Sequence, residues 1–350
     1  MIRAVVATLV CAVASSAGPA LAQAPPLEVP DPSQAASVSQ RIGLTDLTVS
    51  FHRPAVRGRQ VWGGLVPFGD VWRAGANENT VLTLSTPATV GGVPVAAGRY
   101  GVHMIPGEQE WTVILSHDAD AWGSFFYDRS RDAARFAARP RAAAVQEHLS
   151  FAFEDPAEDS VTLTLRWERL ALSIGIEVDT PVVVAGSLQR QLRGLPGFFW
   201  QSYAQAASWC ARQNTHLDEA LAWADRGVEL QRNFTTLQAK ALVLDRLGET
   251  ATAKALREEA LPLATEAQMN SYGYELLIAG ELDEAIEVFR QNVAKHPGSW
   301  NVYDSLGEAL AARGRTAEAV RQYEKALSMV PSDVHKARIT AILSRLAGRE

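Results

Sequence analysis

The sequence predicts a two-part chain: an antiparallel β-sandwich or barrel-like domain over residues 38–179, followed by an α-solenoid of paired helices over residues 180–350. Three observations predict it. Short runs rich in β-branched and aromatic residues, separated by turn signals, fill the first half. Near residue 180 the composition changes to Ala, Leu, Glu and Arg at helical spacing. The second half then matches itself at a shift of about 34 residues, the mark of a stacked repeat.

Ahead of both parts, "MIRAVVATLVCAVASSAGPALAQA" carries Arg3, a small-apolar run and Ala20-Leu21-Ala22, so residues 1–22 read as a secretory signal peptide. Gly18-Pro19 interrupts the run before it reaches the roughly 20 apolar residues that a membrane span needs. The expectation is an exported protein, periplasmic or secreted. Residues 23–37, "QAPPLEVPDPSQAAS", are rich in proline and small residues and read as a linker. Of the two cysteines, Cys11 falls in the signal, which leaves Cys210 in "QAASWCARQ" as a small buried hydrophobe rather than a nucleophile.

Within the β domain the predicted strands are "LTVSF" (Leu47–Phe51), "TVLTLS" (Thr80–Ser85), "RYGVHMI" (Arg99–Ile105) and "WTVILSH" (Trp111–His117). "VTLTLRWE" (Val161–Glu168) and "ALSIGIEV" (Ala171–Val178), joined by Arg169-Leu170, read as a closing hairpin. Gly91-Gly92, Pro106-Gly107 and the acidic stretch Glu154–Ser160 supply turns.

In the helical half, "NVYDSLGEALAARGRTAEAVRQYEKALSMVP" places Leu306-Gly307, Gly314, Ala319, Tyr323, Ala326 and Pro331 as a tetratricopeptide repeat places them. The preceding unit matches with Tyr272-Gly273, Gly280, Ala285, Phe289 and Pro297, and an earlier one keeps Gly248, Ala253 and Ala260. Small residues let two antiparallel helices approach, an aromatic wedges between them, and a glycine ends the first helix in a left-handed conformation. A looser unit around Ala220 precedes these, and "PSDVHKARITAILSRLAGR" reads as a capping helix. This half therefore resembles tetratricopeptide proteins.

The first half, through "RPAVRGRQVWGGLVPFGDVWRAGANENTVLTLS", "AGRYGVHMIPGEQEWTVILS" and "WGSFFYD", resembles a secreted bacterial family known as domain of unknown function 2911. Some members are similar also in a helical extension beginning like "LRGLPGFFWQSYAQAASWC". The resemblance implies a secreted β domain and brings no activity, cofactor or catalytic residue with it.

With 47% hydrophobic and 21% charged residues the chain has a globular composition, and a net charge of −6 without a basic block argues against a nucleic-acid partner. There is no G-x-S-x-G, H-E-x-x-H, G-x-x-x-x-G-K, C-x-x-C or strand-following G-x-G-x-x-G in it. The sequence therefore calls for no cofactor and no metal, and it leans away from an enzyme. His117, Asp118 and Asp120 cluster after a strand but lack the glycine-bearing spacing of a calcium loop. They read as a solvated turn.

The segment "GGLVPFGDVWRAGANENT" (Gly63–Thr80) fits neither strand nor helix periodicity. Two readings compete. In one, Arg73 pairs with Glu78, Asn77 caps a turn and the tryptophans fill the core beneath. In the other, Arg73, Asn77 and Glu78 converge with Arg53, Arg57 and Arg59 into a pocket edged by Trp62 and Trp72, suited to an anionic or glycan-like ligand. His103, sharing a strand face with Gly101 and Ile105, is the candidate general base if that domain is hydrolytic. A satisfied strand histidine is the plainer alternative. In the helical half, register places Asn270, Glu275, Asn301, Asp304 and Glu308 on the first helices of their pairs, where such arrays meet a protein or peptide partner. The leading functional reading is an exported, non-catalytic interaction protein that docks a partner through these repeats. The alternative is the ligand-binding or hydrolytic β domain.

Overall fold

The structure is a computed structural model and describes residues 30–348, so the predicted signal peptide lies outside the described residues. Two antiparallel sheets form the first half. The larger runs β1 (Gln34–Ile42), β2 (Thr45–Arg53), β3 (Thr80–Leu84), β6 (Gly98–Ile105), β7 (Trp111–Ser116) and β8 (Asp132–Ala138), in that spatial order. The smaller has the order β5 (Val93–Val95), β4 (Ala88–Val90), β10 (Ser160–Glu177) and β9 (Arg141–Glu154). They do not close into a barrel. Alternation decides what each strand buries: Leu47 and Val49, Tyr100, Val102 and Met104, and Val113 and Leu115 face Leu149, Phe151 and Leu163 of the other sheet in one core.

Two boundaries differ from the sequence reading. β1 begins at Gln34, so the last four residues of the expected linker are strand, paired along their length with β2. The expected closing hairpin is instead one strand of 18 residues. Val161, Leu163, Leu165 and Trp167 face the core before Glu168, and Leu172, Ile174 and Ile176 face it afterwards, so the alternation changes phase. Glu168 has φ +57 and the register with β9 shifts on either side of it. A bulge, not a turn, makes the break in pattern.

Asp179 follows β10 almost directly and caps α1 (Thr180–Gln191), accepting the Val182 N–H at 3.1 Å. Four antiparallel pairs come next: α2 (Trp200–Gln213) with α3 (Leu217–Leu230), α4 (Phe234–Arg246) with α5 (Thr250–Ala260), α6 (Glu266–Ala279) with α7 (Leu282–Lys295), and α8 (Trp300–Ala312) with α9 (Thr316–Met329). α10 (Asp333–Ala347) covers the end. Gly248, Gly280 and Gly314 all sit at positive φ (86°, 86° and 81°) where the first helix of a pair stops. Ala220, Ala253, Ala285 and Ala319 are fully buried at the crossings. This is the geometry that the repeat pattern encodes. No helix among the described residues is long and apolar enough to cross a membrane.

Gly273 tests how tight these crossings are. A methyl group in a helix normally gains up to about 1 kcal/mol over glycine. Here a Cβ would lie 2.5 Å from the Phe289 ring, so Gly273→Ala must displace a buried wedge and is expected to lower stability by ~1–3 kcal/mol instead. Denaturant unfolding checks the sign; a stabilised variant would show that the crossing has slack.

Candidate functional site

The irregular loop between β2 and β3 is tied to the sheets at each end. Trp72 exchanges backbone hydrogen bonds with Met104 of β6, 2.8 Å and 2.7 Å, and Trp62 bridges to Val66 within the loop itself. These anchors turn both indoles inward. Trp62, Trp72, Trp111 and Trp167 form one cluster, with Trp72 stacked on Trp167 at 5.9 Å and Trp62 edge-on to Trp111 at 4.8 Å. Trp62 and Trp72 therefore fill the core and do not edge a pocket.

The expected ring of arginines is not assembled either. Arg53 donates to the Leu149 carbonyl, Arg59 donates to those of Val56 and Ala55, and the Arg57 N–H reaches Glu147 at 2.9 Å. Arg53 and Arg57 brace the start of the loop against β9, and Arg59 ties the loop to itself. Glu78 pairs with His52 at 3.3 Å rather than with Arg73. Asn77 sits at φ +54 and donates to the Ser33 carbonyl at 3.4 Å, which ties the end of the loop to the residue before β1.

Arg73 lies elsewhere, against Gly123 in the loop that covers His103. The core face of β6 is taken by Tyr100, Val102 and Met104, so Gly101 and His103 point to the outer face of the larger sheet. Residues 117–128 fold back over that face. His103 is 2% exposed, its Nδ1 lies 2.8 Å from Ser124 Oγ, and its ring packs 5.4 Å from that of Tyr127. Tyr127 donates its hydroxyl to Asp132 and accepts from Arg135 Nη2 at 2.8 Å. Asn79 donates to the Asp118 carbonyl at 3.1 Å, and a Cβ on Gly101 would meet that same oxygen at 2.8 Å. The Arg73 guanidinium packs on Gly123, its Nε buried without a hydrogen-bond partner among the described residues.

Burial pushes the His103 imidazole down to about 4, against the pull of Asp132 and Asp118. It is neutral near pH 7. A base so far below working pH is poorly matched to abstracting a proton. The arrangement closes the 117–128 loop over the sheet, with Ser124 partnering the His103 Nδ1. Ser124, Tyr127, Asp132, Arg135 and Asn79 carry no motif in the sequence: Tyr127, Asp132 and Arg135 are chain neighbours, but only the reversal of the chain over β6 brings this group to His103. The loop itself leaves Trp122, Phe125 and Phe126 exposed. Asp118 and Asp120 pair with Arg131 and Arg99.

Arg53 lines a small polar recess with Gln34 and His148, and two larger grooves lie on the helices. Ser208 and Arg212 of α2, Gln238 of α4, and Gln268, Ser271 and Tyr272 of α6 line one groove. Arg257, Tyr272 and Glu275 are shared with a second cleft that continues between α5 and α7. Of the expected partner-binding residues, Glu275 stands at this junction. Glu308 is exposed but accepts the Tyr274 hydroxyl at 2.8 Å, and Asn301 is half-buried at the start of α8. Asn270 is half-buried away from both linings, its Oδ1 without a hydrogen-bond partner among the described residues. Asp304 is a correction: it is 6% exposed and ion-paired with Arg338 of α10, so the capping helix takes the place assigned to a partner. Cys210 is fully buried, and burial raises its thiol to about 11, so it is not nucleophilic at neutral pH.

Fold and grooves together define a two-part chain, a β domain joined to a tetratricopeptide-like array. Residues 33–176, the β part, match the family described as "Protein of unknown function (DUF2911)". No curated protein matches the chain. Among solved structures, "MamA 41-end from Desulfovibrio magneticus RS-1" is 19% identical, with 45% of this chain and 86% of that one covered at a TM-score of 0.30. YrrB, titled "a TPR protein with an unusual peptide-binding site", is 20% identical over 42% and 76% at 0.27, and pilF of Pseudomonas aeruginosa is 17% identical over 43% and 68% at 0.30. Likeness at this level says nothing of activity. The helical fold rests on its own crossings and caps.

Proposed function

We propose that this protein is an exported, non-catalytic interaction protein that docks a peptide segment of a protein partner along its helical array. The observation that carries the reading is a pair of grooves, one on α2, α4 and α6 and one between α5 and α7, that share Arg257, Tyr272 and Glu275 in their linings. They mix apolar floor with hydrogen-bonding side chains, the composition that peptide recognition needs. The closed surroundings of His103 support a structural β domain. The signal-like pattern of residues 1–22 supports export.

Panning a displayed peptide library on the full-length protein tests the reading. Enriched peptides should bind at least about tenfold more weakly to Tyr272→Ala and unchanged to Arg73→Ala, as expected when a central aromatic contact is removed. Peptides indifferent to Tyr272→Ala but lost in Arg73→Ala would move the site to the β domain.

A further inference from the structure

The seams between neighbouring helix pairs are not alike. Between the third and fourth pairs, Arg290 on α7 meets Glu318 on α9 at 3.5 Å, and Asp283 meets Arg313 at 2.9 Å. Counting from the glycine that ends each first helix gives the equivalent positions one seam earlier. Arg290, ten residues after Gly280, corresponds to Glu258 after Gly248; Glu318, four after Gly314, corresponds to Glu284 after Gly280. Asp283 and Arg313 correspond to Ala251 and Ala279. Where one seam is closed by opposite charges, the other presents two glutamates and two alanines.

The consequence is visible in the packing. The second and third pairs share a core through Phe234, Leu237, Ala260, Met269 and Val288, with Leu261, Tyr272 and Leu276 packed on its edge. Beside that core they part into the cleft, with Glu258 on one wall and Glu281, Glu284 and Glu287 on the other. None of these four forms an ion pair among the described residues, whereas Glu259, Asp283 and Glu318 outside the cleft are paired with arginine. Of the cations in the cleft, Arg257 is held by Asp245 and only Lys254 remains. The floor is apolar: Leu261, Leu276, Val288 and the Tyr272 ring.

We infer that this cleft takes a cationic amphipathic segment of the protein partner, its apolar side chains on Leu276, Val288 and Tyr272 and its lysine or arginine between Glu258 and Glu284. The inference rests on the docking reading above and supplies the chemistry of the occupant. The incoming cation takes the role that Arg290 has in the next seam. Its charge is favoured by carboxylates that have no partner of their own, and the apolar floor gives it a reason to stay.

The test is fluorescence anisotropy of the full-length protein with two synthetic helical peptides of about four turns. They share leucines at i, i+3 and i+4 and carry either lysine or glutamate elsewhere. The lysine peptide should bind at least about tenfold more tightly than the glutamate one, with the difference shrinking at high salt. Glu258→Arg should rebuild the missing ion pair with Glu284, raise the melting temperature and abolish binding. Glu284→Gln, a milder change at an exposed position, should weaken the lysine peptide without altering the fold. Equal binding of both peptides, or lysine-peptide binding that survives Glu258→Arg, overturns the inference. Library peptides that need Tyr272 but ignore charge and Glu258→Arg would overturn it while leaving the docking reading in place.

Discussion

Trp167→Ala is expected to destabilise the β domain by ~3–5 kcal/mol, the range for deleting a large buried aromatic that its neighbours cannot replace. Trp167 is 1% exposed, stacks on Trp72 and meets Trp62 edge-on at 5.7 Å, so its removal opens a void at the centre of the indole cluster. Against a typical total of 5–15 kcal/mol, that loss brings the domain close to unfolding. Trp167→Phe keeps part of the contact and should cost less. Amide hydrogen exchange of the full chain across a denaturant series, read peptide by peptide, separates the β half from the helices, since tryptophans stand in both. A loss under about 1 kcal/mol would mean that the four indoles are not a packed unit.

Acid should weaken the same half through His103. The folded imidazole is held neutral down to about 4, mainly by burial, while in the unfolded chain it titrates near 6.5. Between those values the unfolded state binds the extra proton. Stability contributed by the neutral ring is therefore full above about pH 6.5 and falls as the pH drops towards 4, by about 3 kcal/mol in all. The groups that face the ring are Ser124, Tyr127, Asp118 and Asp132, with Arg135 behind the tyrosine. Melting temperatures recorded from pH 7 to 4 should fall more steeply for the wild type than for His103→Asn. Parallel slopes, or a ring that titrates near 6.5 by nuclear magnetic resonance, would refute this account.

How much of the molecule is legible in its sequence depends on how local each signal is. The helix pairs are written in contacts a few residues apart, and the glycines and alanines named from spacing occupy the expected crossings and caps. β8 and β9 are not legible, because "DAARFAA" and "RAAAVQEHL" are made of residues that favour helices and are strands only because sheet neighbours override that preference. Strand alternation puts His103 on one face with Gly101 and Ile105, and the structure makes that the outer face. Alternation cannot find Ser124 or Asp132, whose place beside His103 depends on chain reversal. Trp62 and Trp72 lie in an irregular loop with no periodicity to say which way they turn, and Asp304 has the right register but a covering helix that register does not announce.

The long strand β10 also sets an order of assembly. Its last residues, Ile176 and Glu177, pair with Val90 and Thr89, and it is the element that joins β4 and β5 to β9. During synthesis the smaller sheet cannot be completed until residue 177 has emerged, although β1 and β2 can pair much earlier. Contacts this distant in the chain form slowly, whereas each helix pair needs only its own length and a neighbour. The half made first is thus the half finished on a distant signal. Because α1 starts three residues after that final pairing, the array acquires a fixed starting point at the moment the sheets close.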